Sequence, residues 1–254
     1  MTTNTATSTL TNRQNGYQEL KPPVTPAAPH YDATAAPKES QPIYTPLLLL
    51  LYDLWVLGVV NTFAWGCSTT RYLLPLFRSN VGGNHLDVGV GTGYYLRSKG
   101  SVPATTRLTL VDNEQGALDV AKTRSNRPDA NALIADILKP LPVREKFDSV
   151  SMYYLFHCLP VSMPEKCGVF DHIKHNMTPD GVITGANVLG KGVRKDNFFA
   201  AKIRKGCQNH GVFYNKDDNA YEFEDALRKN FKKVETWVVG TVFMFRAQGP
   251  KYNE

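Results

Sequence analysis

The 254-residue sequence contains only four cysteines, and they lie far apart along the chain. None belongs to a C-x-x-C pair, so the spacing used by structural zinc sites and by small disulfide frameworks is missing. The four residues are Cys67, Cys158, Cys167 and Cys207. This pattern argues against a bound metal and against a disulfide scaffold, and it makes a reducing, cytoplasmic setting the default expectation.

The chain also lacks a strong excess of charge of one sign. Its formal net charge is +6 and its isoelectric point is near 9.0. The basic residues are scattered apart from a loose cluster within residues 191–205, which is typical of the solvated face of a helix, and no interleaved aromatic residues accompany it. We therefore expect a small-molecule substrate and not nucleic acid as the partner, and the sequence leaves the oligomeric state open.

Large apolar residues are scarce in residues 1–42, which are rich in Thr, Asn, Ala and Pro. Such a segment buries too little surface to offset the entropy lost on ordering, so we predict a disordered tail. The segment does not begin with basic residues followed by an apolar run, and its first 20 residues contain one arginine. These features argue against a secretory signal and against a mitochondrial presequence.

An unbroken membrane span is absent from the most apolar stretch, residues 46–66. Asp53 and Asn61 divide it into runs shorter than the ~20 apolar residues that a span requires. We interpret residues 43–80 as a helical lid over a substrate pocket, with peripheral membrane contact through residues 46–66 as a minor alternative. The expected pocket walls, which could also be ordinary core positions, are Tyr44, Tyr52, Trp55, Phe63 and Trp65.

Three glycines at alternate positions follow a short apolar stretch in His85–Tyr95, HLDVGVGTGYY. Leu86–Val90 is predicted to be a buried strand, and the glycines allow a tight turn close to a ligand: Gly89, Gly91 and Gly93. The dinucleotide fingerprint requires a glycine where Tyr94 stands. Asp87 precedes the glycines and would repel a pyrophosphate, but it would attract an ammonium or sulfonium group.

Later strands carry polar residues near their carboxyl ends. Arg107–Asp112 ends in an acid that could accept both ribose hydroxyls, although Asp112 could instead cap the next helix. A third strand is predicted at Leu133–Ile137. Phe147–Tyr154 is predicted to be the fourth, and the loop after it contains His157. Because open parallel sheets bind ligands outside the carboxyl ends of their strands, this loop should face the ligand.

The chain ends with two β-rich runs separated by Gly240-Thr241, which predict an antiparallel hairpin. In this order the motifs resemble the class I S-adenosylmethionine-dependent methyltransferases, over roughly residues 44–247. The resemblance implies an α/β, Rossmann-like fold with a seven-stranded, mostly parallel sheet in residues 81–250. It also implies S-adenosyl-L-methionine as cofactor, bound by Asp87, Gly89, Gly91, Gly93, Asp112, Asn113, Asp136, Ile137 and Met152.

The FHCLP loop and the turn at residues 190–192 look similar to small microbial and fungal methyltransferases of secondary metabolism. Among these, the polyketide O-methyltransferases that act on pyrone or phenolic hydroxyls resemble this chain most. His157 is the candidate general base, with a structural role as the alternative, and Tyr153 and Asn187 are candidate partners. Other hypotheses are N- or C-methylation, a cyclase that uses the cofactor without methyl transfer, and a membrane-tethered binding protein without catalytic activity.

Overall fold

The structure, a computed structural model, describes residues 53–97 and 101–252. The predicted tail and the predicted pocket residues Tyr44 and Tyr52 lie outside these ranges. The strands are β1 (Asn84–Val88), β2 (Arg107–Asp112), β3 (Asn131–Ile134), β4 (Phe147–Tyr153), β5 (Met177–Val188), β6 (Phe231–Val239) and β7 (Val242–Pro250). The helices are α1 (Leu54–Ala64), α2 (Thr69–Leu73 continued by Leu74–Arg78), α3 (Tyr94–Arg97), α4 (Gln115–Ser125), α5 (Met163–Lys174), α6 (Phe198–Asn209) and α7 (Ala220–Asn230).

The seven strands form one sheet in the order β3-β2-β1-β4-β5-β7-β6. The first five are parallel, whereas β7 runs antiparallel to both β5 and β6. The predicted fold and the closing hairpin are therefore confirmed. The order of the strands reverses between β1 and β4, and in such sheets ligands bind outside the carboxyl ends of the strands at that point.

Several strand boundaries differ from those predicted. β1 ends at Val88 and not at Val90, because Gly89 turns the chain with a φ of +70°. β3 begins two residues earlier than expected and ends at Ile134, which leaves Asp136 and Ile137 in the following loop. β5 begins at Met177 and passes through residues 179–181, where its pairing with β4 shifts register.

Helices pack on both faces of the sheet and produce two core clusters. Residues of α1, α2, α3, α4 and α6 belong to one cluster, and residues of α5 and α7 belong to the other. In β2, Leu108 and Leu110 point to the first cluster and Val111 to the second. Both faces of the central strands are thus covered, so even polar side chains on β1 and β4, such as His85 and Ser151, are buried.

The hairpin anchors the segment between α1 and α2. Thr241 N–H donates to the Trp65 carbonyl at 2.8 Å. Gly240 has a φ of +65°, and a Cβ at this position would stand 1.9 Å from the same carbonyl oxygen. Only glycine permits this approach, so the end of α1 is held beside the carboxyl end of β5. Among the described helices, none is long and apolar enough to cross a membrane.

Candidate active site

The glycine-rich loop after β1 leaves room for a ligand on one side only. Gly91 and Gly93 both have positive φ, +49° and +66°. A Cβ at Gly93 would lie 2.8 Å from the Ala121 Cα atom, so this glycine permits close packing on α4. At Gly91 no atom of the described residues, its two chain neighbours aside, lies within 4 Å of the corresponding point. The Gly91 backbone therefore faces open space, as a cofactor cradle requires.

The carboxylate of Asp112 lies next to this open space. Its Oδ2 accepts from Gly91 N–H at 3.3 Å, and its Oδ1 accepts from Glu114 N–H at 3.2 Å. Helix α4 begins after Glu114 without a side-chain cap, so neither Asp112 nor the exposed Asn113 caps it. Because a carboxylate has about four acceptor positions, Asp112 retains capacity for a ligand.

An ion-pair cluster that the sequence did not predict holds the start of α1 on the glycine-rich loop. Asp53 is buried, accepts from the Thr92 hydroxyl at 2.9 Å and pairs with Arg124. Arg124 also donates to the Thr92 carbonyl at 2.6 Å, and Arg97 lies 3.5 Å from Asp53. Asp53, which interrupts the apolar stretch of the sequence, thus connects the start of α1 to the turn between Gly91 and Gly93.

His157 lies in a 3-10 turn after β4 and is the end of a buried hydrogen-bond chain. Its backbone N–H and its Nδ1 approach Asn187 Oδ1 at 2.7 and 3.0 Å. Asn187 Nδ2 donates to Asp218 Oδ2 at 3.0 Å, and Lys166 Nζ donates to Asp218 Oδ1 at 2.7 Å. All four side chains are at most 5% exposed.

This chain determines which nitrogen of His157 carries the proton. A carboxylate accepts only, so Asp218 fixes the Asn187 amide with its oxygen toward the histidine. Nδ1 must then donate, which leaves Nε2 as the acceptor nitrogen. Within residues 53–97 and 101–252, no group hydrogen-bonds to Nε2. Burial, aided by the charges of Lys166 and Arg204, lowers the pKa of His157 to about 4, so the ring is neutral near pH 7.

Aromatic rings surround His157. The Phe213 ring packs edge-on at 4.4 Å and the Tyr154 ring at 5.7 Å. Tyr154 directly follows β4 with a φ of +61°, which is uncommon for a bulky residue and is typical of strained functional sites. Trp65 contacts Phe213 with a centroid distance of 6.0 Å, so the structure places this predicted pocket residue in the same group.

Trp55 and Phe63 do not join this aromatic group. They are 53% and 65% exposed, and the Trp55 ring packs against Phe199 of α6. Their role as walls of a substrate pocket stays a prediction. Tyr153 is buried and donates weakly to Thr184 at 3.4 Å. Burial raises the pKa of Tyr153 above the usual value, so its hydroxyl keeps its proton near neutral pH.

Comparison with known proteins assigns a family to this arrangement. A family model described as "Methyltransferase domain" matches residues 86–181. O-methyltransferase adaD of Aspergillus niger is 61% identical over 218 residues, covering 82% of this chain and 87% of that protein. N-methyltransferase vrtF of Penicillium aethiopicum is 68% identical over 190 residues, covering 75% and 79%. The chain belongs to the S-adenosylmethionine-dependent methyltransferases.

Solved structures agree with the fold of a methyltransferase. N-methyltransferase NodS from Bradyrhizobium japonicum, in complex with S-adenosyl-L-homocysteine, aligns with a TM-score of 0.52 and 17% identity. That alignment covers 72% of this chain and 85% of NodS. DhpI in complex with S-adenosyl-L-homocysteine aligns with a TM-score of 0.55 and 14% identity. That alignment covers 80% of this chain and 92% of DhpI. S-adenosyl-L-methionine is the cofactor of this methyltransferase.

The remaining predicted cofactor residues of the methyltransferase lie around the same edge of the sheet. Asp87 is buried on β1, two residues before Gly89. Asp136 is exposed after β3 and accepts from Leu138 N–H at 3.0 Å, and Ile137 beside it is buried. Met152, on β4, has no exposed surface and packs in the second core cluster. Contacts of these residues with the cofactor stay predictions.

We expect Asp112→Ala to weaken the binding of S-adenosylmethionine to the methyltransferase. A hydrogen bond to a charged acceptor contributes roughly 1.5–3 kcal/mol, so the dissociation constant should rise by about 10- to 100-fold. Isothermal titration calorimetry measures it without any acceptor substrate. Asp119→Ala on the exposed face of α4 is the matched control and should bind normally. Normal binding by Asp112→Ala would place the ribose elsewhere.

Proposed function

We propose that this methyltransferase O-methylates a phenolic or pyrone hydroxyl of an apolar polyketide in fungal secondary metabolism. The observation that carries the proposal is His157 at the carboxyl end of β4, whose neutral ring has its acceptor nitrogen Nε2 without a hydrogen-bond partner among the described residues. Two relatives are named O-methyltransferases, adaD and the physcion biosynthesis cluster enzyme of Aspergillus chevalieri, which is 56% identical over 211 residues.

O-methylation requires a methyl donor and an acceptor for the hydroxyl proton. S-adenosylmethionine supplies a methyl group on a positively charged sulfur, so the acceptor oxygen forms a bond to the methyl carbon as the carbon–sulfur bond breaks. The hydroxyl proton passes to Nε2 of His157, and S-adenosylhomocysteine leaves. Asn187 holds the ring in the required tautomer through Nδ1. Alignment of acceptor and methyl group supplies much of the acceleration, and the base adds roughly 10²–10⁴-fold.

The environment of His157 favours an acidic hydroxyl. Its pKa is lowered to about 4, whereas a simple phenol has a pKa of about 10, so complete proton transfer between them is strongly uphill. Hydroxyls acidified by conjugation to a carbonyl, as in 4-hydroxypyrones, lose their proton more easily. The apolar rings of Phe213, Tyr154 and Trp65 suit a flat aromatic acceptor.

N-methylation is the second candidate, because the relative vrtF, which is named an N-methyltransferase, is 68% identical. The two reactions require the same orientation of base and donor, since an amine also loses a proton during transfer. A cyclisation that used the cofactor without methyl transfer would leave the product mass equal to that of the substrate.

The deciding experiment uses purified protein, S-adenosylmethionine and matched acceptor pairs that differ only in hydroxyl or amino at one ring position. We expect the hydroxyl member to gain one CH2 in mass with equimolar S-adenosylhomocysteine, and nuclear magnetic resonance to place the methyl on oxygen. Methylation of the amino member alone would overturn the proposal in favour of N-methylation. A product of unchanged mass would overturn methyl transfer.

A further inference from the structure

A second buried hydrogen-bond chain runs between β1 and β4 and ends on Asp87. Gly82 N–H donates to the Ser149 hydroxyl at 2.7 Å, and Ser149 Oγ lies 2.7 Å from Nδ1 of His85. The other ring nitrogen, Nε2, lies 2.9 Å from Ser151 Oγ. The Ser151 hydroxyl in turn donates to Asp87 Oδ1. The four side chains are buried, and no sequence motif marks Ser149, His85 or Ser151 as functional.

The two ends of the chain set its direction when Asp87 is ionised. A carboxylate only accepts, so the Ser151 hydroxyl must point its proton at Asp87. Ser151 Oγ is then free to accept from His85 Nε2–H, and Nδ1 accepts from Ser149. If Asp87 were protonated and donated to Ser151, each of these bonds would have to reverse, including the tautomer of His85. The chain therefore distinguishes the two protonation states of Asp87.

We propose that Ser151 and His85 are positioning residues for the cofactor, which hold Asp87 as an oriented carboxylate toward the cationic end of S-adenosylmethionine. This inference rests on the assignment of Asp87 as a cofactor-binding residue. Ser151 acts directly by donating to the carboxylate. His85 acts through Ser151, because its Nε2–H occupies the acceptor side of that hydroxyl and leaves only Asp87 as the target of the hydroxyl proton.

The surroundings of Asp87 explain why the carboxylate needs this support. The groups that face it are Ser151 and Tyr153 on β4 and the like-charged Asp112 on β2. Within the part of the chain that the structure describes, no lysine or arginine forms an ion pair with Asp87. Burial, opposed by the Ser151 hydrogen bond, raises the pKa of Asp87 to about 7. A buried carboxylate without a cation is costly, and a bound cation would remove that cost.

The direction in which cofactor affinity changes with pH follows from these groups. A cationic ligand binds the ionised form of Asp87, so its affinity increases with pH until Asp87 is fully ionised. Removing the Ser151 donor favours the protonated form and moves that midpoint to higher pH. A variant should therefore bind poorly below neutral pH and recover in alkali. General damage to the fold would weaken binding at every pH.

The test is calorimetric titration of the full chain with S-adenosylmethionine between pH 6 and 9, for Ser151→Ala and the parent protein. The ratio of the two dissociation constants cancels the titration of the ligand's own amino group, whose pKa is about 7.7–8.0. We expect a ratio of about 10 at pH 6, which corresponds to the loss of one hydrogen bond to a charged group, and a ratio near 1 at pH 9. Ser101→Ala, which removes another buried serine hydroxyl, should give a ratio near 1 throughout.

His85→Phe separates the positioning role from a local effect of Ser151. Phenylalanine keeps the ring contact with Phe77, at 5.6 Å in the parent, but removes both nitrogens. We expect the dissociation constant of His85→Phe, divided by that of the parent, to fall with pH as well. The ratio should be smaller, about 3 at pH 6, because Ser151 remains. In the parent, 15N resonances should show His85 protonated only at Nε2 when the cofactor is bound, since burial lowers the pKa of its ring to about 3.

Two results would overturn the inference. A pH-independent ratio for Ser151→Ala would make the chain merely structural, and an Nδ1-protonated His85 in the bound state would reverse its direction. Asp87→Asn tests the assignment of Asp87 as a cofactor-binding residue, on which the inference rests. Unaltered affinity in that variant would remove Asp87 from the cofactor site. None of these measurements uses an acceptor substrate, so their outcome is separate from that of the proposed O-methylation.

Discussion

Replacing His157 with alanine should lower the rate of methyl transfer to a protonated phenolic acceptor by about 10²–10⁴-fold. The substitution removes the ring that Asn187 orients as a proton acceptor. The affinity for S-adenosylmethionine should stay within twofold of the parent value, because the ring lies in the loop after β4 and not in the glycine-rich loop.

Single-turnover rates between pH 6 and 9 measure the loss. The lowered pKa of His157, about 4, means that the ring is neutral over this whole range, so its contribution should not titrate there. The rate of the variant should rise with pH as the acceptor ionises, and the gap to the parent should close. With an acceptor already ionised at pH 6, the loss should be small at every pH.

His210→Ala is the matched control, since His210 is exposed at the end of α6 and should behave as the parent. If His157→Ala matched the parent with a weakly acidic acceptor at pH 6, the histidine would be structural. The proton would then have to leave directly to water.

The sequence was sufficient to predict the sheet because local signals and the overall fold agree. The glycines from Gly89 to Gly93 need positive φ, Asp112 ends an apolar run, and Gly240-Thr241 separates two β-rich runs, and the structure has a turn, a strand end and a hairpin at these places. Errors were confined to boundaries. The strand β1, for example, was predicted to continue to Val90, but Gly89 turns the chain after Val88.

The chemistry of the candidate site was only half predictable. His157 and Asn187 could be nominated because each stands at the carboxyl end of a strand. Their partners Lys166 and Asp218 could not, because a lysine within a helix and an aspartate in a loop are usually solvated. Their pairing depends on contacts 52 residues apart in the chain. The same holds for Asp53, whose partners lie on α3, α4 and the glycine-rich loop.

The second large effect is expected from Lys166→Met, which should reduce the free energy of unfolding by about 3–5 kcal/mol. The lysine is fully buried and donates to Asp218 and to the Tyr214 carbonyl, at 2.7 and 2.9 Å. Methionine fills a similar volume but leaves the Asp218 carboxylate buried without a cation. Denaturant unfolding at several pH values measures the loss.

The loss should depend on pH in a definite direction. Burial already raises the pKa of Asp218 in the parent, and Lys166 opposes that rise. Without the lysine the pKa rises further, so the folded variant takes up a proton that the unfolded chain, with a carboxyl pKa of about 3.9, does not hold. Stability then falls as pH increases through this window, and the deficit should be smaller at pH 5 than at pH 8.

The double variant Lys166→Met/Asp218→Asn decides whether the buried charge is the cause. It removes the charge but keeps an amide near Asn187, so about half of the lost stability should return and the pH dependence should disappear. If the double variant were no more stable than Lys166→Met at pH 8, loss of packing and of the bond to Tyr214 would account for the effect. Turnover should remain reduced in the double variant, because an amide no longer fixes the orientation of Asn187, and with it the proton on His157, as a carboxylate does.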